Sequence, residues 1–231
     1  MKINNFHQKI KERILVMDGA MGTQIQSKNL SEIEFRGDTY KDYSKDLKGN
    51  NDLLNITQPE VIKEIHKSFL EKGCDFIQTN TFNSSSISQR DYDLEEIAYD
   101  LNFNGAKIAQ EAVAETNSNS WIIGSIGPTN TTASISPDVT DPAKRNILFD
   151  ELVISYRECI DGLLDGGVDL LMFETIFDTL NVKAGIFAYL NKCEEIGKEI
   201  PLMISGTITD NSGRTLSGQT AEAFWTSVKH A

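Results

Sequence analysis

Residues 168–175 read Val-Asp-Leu-Leu-Met-Phe-Glu-Thr, a nearly unbroken apolar run that stops on an acid, Glu174. The run is too short for a helix, and its continuity is that of a strand buried on both faces of a parallel sheet. Four further short runs, 14–17, 75–78, 121–126 and 201–205, are likewise rich in Ile, Val, Leu or Phe, and 121–126 and 201–205 share the near-continuous character. Amphipathic stretches separate them. Pro59–Leu70 has Pro in its first turn, Thr57 near the cap and Val61, Ile62, Ile65, Phe69 and Leu70 on one stripe, with Gly73 where a left-handed C-cap would sit. Residues 94–114, 149–164 and 178–196 repeat the pattern, the last two closing on Gly166-Gly167 and Gly197. Strand–helix alternation with right-handed crossovers predicts an α/β fold on a parallel sheet.

Two parallel architectures compete. A doubly wound sheet calls for G-x-G-x-x-G after its first strand, and DGAMGT offers only Gly19 and Gly22. A closed barrel calls for polar residues at the C-terminal end of strand after strand. They are present: Asp18, then Thr79-Asn80-Thr81, Gly127-Pro128-Thr129-Asn130, Glu174-Thr175 with Asp178 close behind, and Thr207 with Thr209-Asp210. One polar residue after a strand is commonly a helix cap; five sets in succession favour the barrel. The expectation is therefore a (β/α)8 TIM-type barrel, truncated after about five strand–helix units. A helix pattern over 221–231 runs to the last residue with no Gly, Pro or cap signal behind it, so a single domain over 1–231, incomplete at its C-terminus, is predicted. Such an open barrel would expose its first and fifth strand edges, which favours aggregation or oligomerisation.

Composition narrows the function. Of 231 residues, 39% are hydrophobic and 24% charged, which excludes wholesale disorder. Twenty-two basic against 34 acidic side chains leave a net charge of −12, which speaks against nucleic acid and anionic membranes as partners. No apolar run approaches the roughly 18 residues of a membrane span, and the N-terminus does not read as a secretory signal, so a cytoplasmic protein is expected. Cys74, Cys159 and Cys193 are dispersed, with no CxxC, and read as small buried or half-buried thiols. His7, His66 and His230 are equally scattered; His66 and His230 read as helix-surface or packing residues. No Ser-His-Asp set can be assembled.

The strand ends themselves suggest a small zwitterion. Glu174 could hold an ammonium by a charge-assisted hydrogen bond, and backbone N–H groups around Asp18-Gly19-Ala20 could take a carboxylate. Capping or ion pairing is the alternative for both acids.

Several longer strings carry a specific resemblance. MDGAMGT, DLKGNNDLLNITQPEVI, TNTFNSSS, GSIGPTNTTASISPDV, FETIFDTLNVKA and ISGTITDNSGRTLSGQT together resemble the N-terminal homocysteine-binding domain of cobalamin-dependent methionine synthase, within the homocysteine S-methyltransferase family. The likeness runs from about Ile14 to Ala231. It implies a barrel that binds homocysteine and zinc at its C-terminal mouth, with methyl transfer from methylcobalamin to the zinc-activated thiol giving methionine. The methyl originates from 5-methyltetrahydrofolate, and folate-binding and cobalamin-binding domains would belong to the same or a companion chain. By the same resemblance Asp18, Gly19 and Ala20 meet the homocysteine carboxylate, Glu174 takes the amino group, and Thr79, Asn80 and Thr81 line the pocket. Gln78 is left out. The family's three zinc cysteines would lie beyond Ala231, so no metal ligand is assigned here and the 1–231 piece alone is expected to be inactive. A stand-alone homocysteine S-methyltransferase using a sulfonium or betaine donor, and a non-catalytic amino-acid-binding module, are the competing readings.

Overall fold

The structure is a computed structural model and describes residues 2–231; the side chain of His7 lies outside the described residues. Helices form where the apolar stripes predict them, with ends shifted by local chemistry. Three open the chain: α1 (Lys2–Glu12), α2 (Met21–Ser27) and α3 (Glu32–Arg36). A single turn, α4 (Leu54–Thr57), runs into α5 (Pro59–Leu70). Pro59 takes the first position of α5, where its missing N–H costs nothing, and Gly73 adopts φ 84° just beyond the helix. Thr57 does not cap α5; its hydroxyl donates back to the Leu53 carbonyl at 3.3 Å, and Gln58 holds the cap position. Next come the short α6 (Ser86–Gln89) and α7 (Ala98–Glu115), which starts later than the sequence pattern because 95–97 forms a 3-10 turn. Then α8 (Phe149–Gly166) ends on Gly167 at φ 93°, and α9 (Thr179–Ile196) is capped by Asp178. The final helix, α10 (Ala221–Val228), is capped by the Thr220 hydroxyl.

The strands are β1 (Phe76–Gln78), β2 (Trp121–Ile126), β3 (Leu170–Ile176) and β4 (Leu202–Gly206). They pair in parallel in the order β1-β2-β3-β4. Among the described residues the sheet thus has four strands, where five were expected. The missing one is 14–17, reduced to a single parallel bridge from Met17 to Phe76. Hydrogen bonds from Asp75 N to Val16 O (2.7 Å) and from Asp18 N to Phe76 O (2.9 Å) hold it beside β1. With a three-residue partner on one side and Ile14 88% exposed on the other, it has too few neighbours to extend into a ladder. β3 departs in the opposite sense. It continues through Ile176, so Glu174 lies within the strand and not behind it.

Period-two alternation sorts the sheet's side chains. Phe76, Trp121, Ile123, Leu170 and Met172 form one cluster on the inner face with Phe6 of α1, whose ring sits 5.8 Å from Trp121 and 6.0 Å from Phe76. Leu171, Phe173 and Ile126 face α8 and α9 in the main core, where Tyr156 meets Phe173 edge-on. Ile77 and Ile122 pack against Leu70, Ala109 and Val113. Complete burial of a side chain such as Phe173 contributes roughly 1.5–3 kcal/mol. Along the inner face the strands begin apolar and end polar: Gln78 follows Phe76, Ser125 follows Ile123, and Glu174 follows Met172. β4 closes the sheet on one side only, with Leu202, Met203 and Ile204 half-buried and Ser205 and Gly206 exposed. Among the described residues no helix is long and apolar enough to cross a membrane.

Candidate functional site

At the C-terminal end of the sheet lies a cavity of about 330 Å³. Asp18, Gly19, Ala20, Thr79, Asn80, Thr81 and Glu174, the residues singled out from sequence, all line it. So do Asn51, Asp52, Gln78 and Ser125, which were not among them.

Asp18 ends the bridge segment, and both its carboxylate oxygens accept the Gln78 N–H, at 3.0 and 3.1 Å. Burial pushes its pKa up to about 7; the Gln78 hydrogen bond opposes the shift and the nearby charge of Glu174 adds to it. Gly19 is free of conformational demand. A Cβ built there meets nothing within 4 Å, so the fold itself has no need of glycine at this position. Ala20 is left-handed at φ 52° and precedes α2 without any side-chain cap.

The β1 loop is different in kind. The Thr81 hydroxyl donates to the Ser125 carbonyl at 2.7 Å, so in the 2.6 Å contact between the two threonines Thr79 is the donor. Thr79 Oγ1 in turn accepts the Ser125 N–H at 3.0 Å. Asn80 donates to the Asn51 carbonyl (2.7 Å) and to Asn55 Oδ1 (3.1 Å), while Asn55 returns a bond to the Asn80 carbonyl (2.8 Å). Asp52, fully buried, accepts the Asn83 N–H and the Ser84 hydroxyl, both at 2.8 Å. Its pKa is raised to about 6 by burial, against the pull of those two donors. Gln89 completes the clamp, exchanging hydrogen bonds with Asn50 and donating to the Asn83 carbonyl. The GNNDLLN string is therefore the template on which the loop after β1 is moulded.

Glu174 accepts the Ser125 hydroxyl, and burial raises its pKa while that hydrogen bond restrains the rise. Asp18, Asp52 and Glu174 give the cavity three carboxylates and, among its lining residues, no Lys, Arg or His. Such a field favours a ligand that brings positive charge.

The other strand ends stay outside the cavity and serve the scaffold. A Cβ on Gly127 would come within 2.3 Å of the Phe82 carbonyl, so glycine there lets the β2 loop close on the β1 loop. Thr129 accepts a bond from Asn181, which also accepts the Ala133 N–H, and Asp178 holds Ser134 while capping α9. Thr209 and Asp210 lie in an exposed turn where Asp210 binds the Ser212 N–H, and Thr207 pairs with the Ile176 carbonyl.

Cys159 is buried with its thiol pushed up to about 12, and Cys74 is half-buried at about 11. Among the described residues no group of His, Cys, Asp or Glu is arranged to hold a metal ion. His66 is fully buried, so the expectation of a packing residue applies and that of a surface position does not; its pKa falls to about 4 through burial.

The profile of the homocysteine S-methyltransferase family matches residues 15–231. Among solved structures, the chain is similar to the homocysteine methyltransferase MmuM from Escherichia coli. Its metallated form aligns at 17% identity with a TM-score of 0.70, over 96% of this chain and 73% of that one. The oxidized form aligns at 20% identity with a TM-score of 0.68, over 94% and 69% respectively. At these identities the structural likeness is one of fold. The profile match covers nearly the whole sequence and includes every strand and the cavity, and the chain accordingly belongs to the homocysteine S-methyltransferase family.

Proposed function

We propose that the cavity is a homocysteine site and the chain the homocysteine-binding part of a methyltransferase that yields methionine. The observation that carries this is the pair Asp18 and Glu174, two part-buried carboxylates facing one small cavity whose lining supplies no cation. Glu174 takes the ammonium by a charge-assisted hydrogen bond, and in the Asp18-Gly19-Ala20 turn the backbone N–H groups of Gly19 and Ala20 take the carboxylate, the Asp18 N–H being held by the Phe76 carbonyl. Thr79, Asn80 and Thr81 give the wall its shape. The sulfur then points away from both charged ends, free to accept a methyl group.

Through the family resemblance the same proposal includes a TIM-type barrel completed by further units, a cytoplasmic setting and zinc at the thiol. It also includes methylcobalamin charged from 5-methyltetrahydrofolate in other domains. Among the described residues none form a set that fits zinc, so what they contribute is binding, orientation and exclusion of water. Calorimetric titration of homocysteine into the 231-residue chain is the test, with cysteine and methionine as comparators. Saturable binding that Glu174→Ala removes supports the reading; a folded chain that takes up no homocysteine sinks it.

One observation favours a second reading. Three carboxylates exceed what a single ammonium neutralises, and a sulfonium donor would bring a further positive charge to the same cavity. S-methylmethionine that binds only in the presence of homocysteine would favour a stand-alone methyltransferase over a cobalamin-dependent one.

A further inference from the structure

β3 is irregular where it meets the cavity. Counted by twos, Leu170 and Met172 belong to the inner core, and Leu171 and Phe173 to the core against the helices. Strict alternation would return Ile176 to the inner face, two residues beyond Glu174. Instead Ile176 is 2% exposed and packs in the helix-side core with Leu171 and Phe173. The pairing shows the same break: Phe173 lies opposite Ile204, and Ile176 opposite Gly206, so β3 has one residue more than β4 over that interval. Within it Thr175 has φ 59°, a left-handed state that a β-branched residue rarely adopts.

We propose that Thr175 is a positioning residue: the extra residue of a β-bulge, it keeps Glu174 on the cavity face and returns the chain to the helix-side core at Ile176. The two requirements conflict in a regular strand. Without the extra residue, either Glu174 leaves the cavity or Ile176 leaves its core. Glu174 then keeps the Ser125 hydroxyl as its hydrogen-bond donor, while Asp178, beyond the bulge, is used to cap α9. Strain kept at such a point is a recurrent property of ligand-holding segments. The role deepens the homocysteine reading and rests on Glu174 as the ammonium acceptor.

The test uses the 231-residue chain and three readouts: thermal melting, NMR titration of the Glu174 carboxyl without ligand, and homocysteine calorimetry. Thr175→Gly enters the left-handed state without a Cβ clash. It should raise Tm by about 2–4 °C, as relief of local strain does in a chain of this size. Its Glu174 titration should stay above the ordinary glutamate range. Thr175→Pro fixes φ at about −65° and cannot form the bulge. There Glu174 should titrate as an ordinary glutamate, and homocysteine affinity should fall roughly tenfold or more, with no further loss on adding Glu174→Ala. An unchanged Glu174 titration in the Pro variant, or additive losses in the double variant, overturns the proposal. Should the Pro variant fail to fold, Thr175→Gly decides, and a lower Tm or a shifted Glu174 titration overturns it. The ligand-free titration separates the two ideas. A parent chain that ignores homocysteine yet loses its Glu174 shift on Thr175→Pro supports the bulge while removing the substrate.

Discussion

Two walls of one cavity use their polar groups in opposite ways. Along the β1 loop, Thr79, Asn80 and Thr81 are 4%, 6% and 2% exposed, and their side chains are committed to Ser125, Asn51, Asn55 and each other. Across from them, Asp18 is held by the Gln78 N–H and Glu174 by the Ser125 hydroxyl, although a carboxylate can accept about four hydrogen bonds. The first wall is a built surface; the second keeps capacity in reserve. Residues of similar polarity in one pocket thus divide into those whose hydrogen-bonding groups are spent on its shape and those whose acceptor capacity is left over.

The comparison breaks most easily at Asp52. Asp52→Leu leaves the Asn83 N–H and Ser84 hydroxyl buried without an acceptor and should cost about 2–4 kcal/mol in urea unfolding. Asp52→Asn retains an oxygen for both donors and should change stability by less than about 1 kcal/mol. If the two variants unfold alike, the clamp is not what holds this wall. Glu174→Gln is the mirror case. It should leave the melting curve nearly unmoved and weaken homocysteine binding by roughly tenfold, about 1.4 kcal/mol; a large loss of stability would make Glu174 structural.

Asp18 sharpens the contrast through pH. Its carboxyl binds a proton more tightly in the folded chain, at about 7 against an ordinary 3.8. Its contribution is therefore present in full below about pH 4 and is lost as pH rises toward 7. Asp18→Asn should be more stable than the parent at pH 8, by about 1 kcal/mol, and equal to it at pH 4. Equal stability of the two at pH 8 would show that Asp18 is not penalised by its burial. Gly19→Ala should be the mildest change, within about 0.5 kcal/mol of the parent in stability. Since only open space surrounds that position, any effect should appear in ligand affinity alone.

What could be read from the sequence follows the range of the forces involved. α5 is local, with Pro59, its stripe and Gly73 within one stretch, and its ends match the expectation. Asp18 and Glu174 stand at the ends of apolar runs and could be picked out by position. Whether they bind homocysteine is for the titrations to decide. Asp52 could not be found this way, because its acceptor role depends on Asn83 and Ser84, some thirty residues on. Ser125 was within reach: it continues the Trp121–Ile123 alternation onto the same face as Glu174. The 14–17 run has the right residues for a strand and lacks only neighbours, which composition does not reveal.

β2 and β4 differ in a way that bears on motion. Every residue of β2 is buried and the strand is paired on both sides, whereas among the described residues β4 is paired to β3 alone, and it is half-buried to exposed along its length. Native-state hydrogen exchange should therefore be graded across the sheet. Amides of 122–125 should open only with the whole molecule, and those of 203–206 by local fraying at far lower free energy. The floor beneath Ser125 then stays closed on the timescale on which β4 of this 231-residue chain frays, so the cavity keeps its base while its neighbouring strand moves.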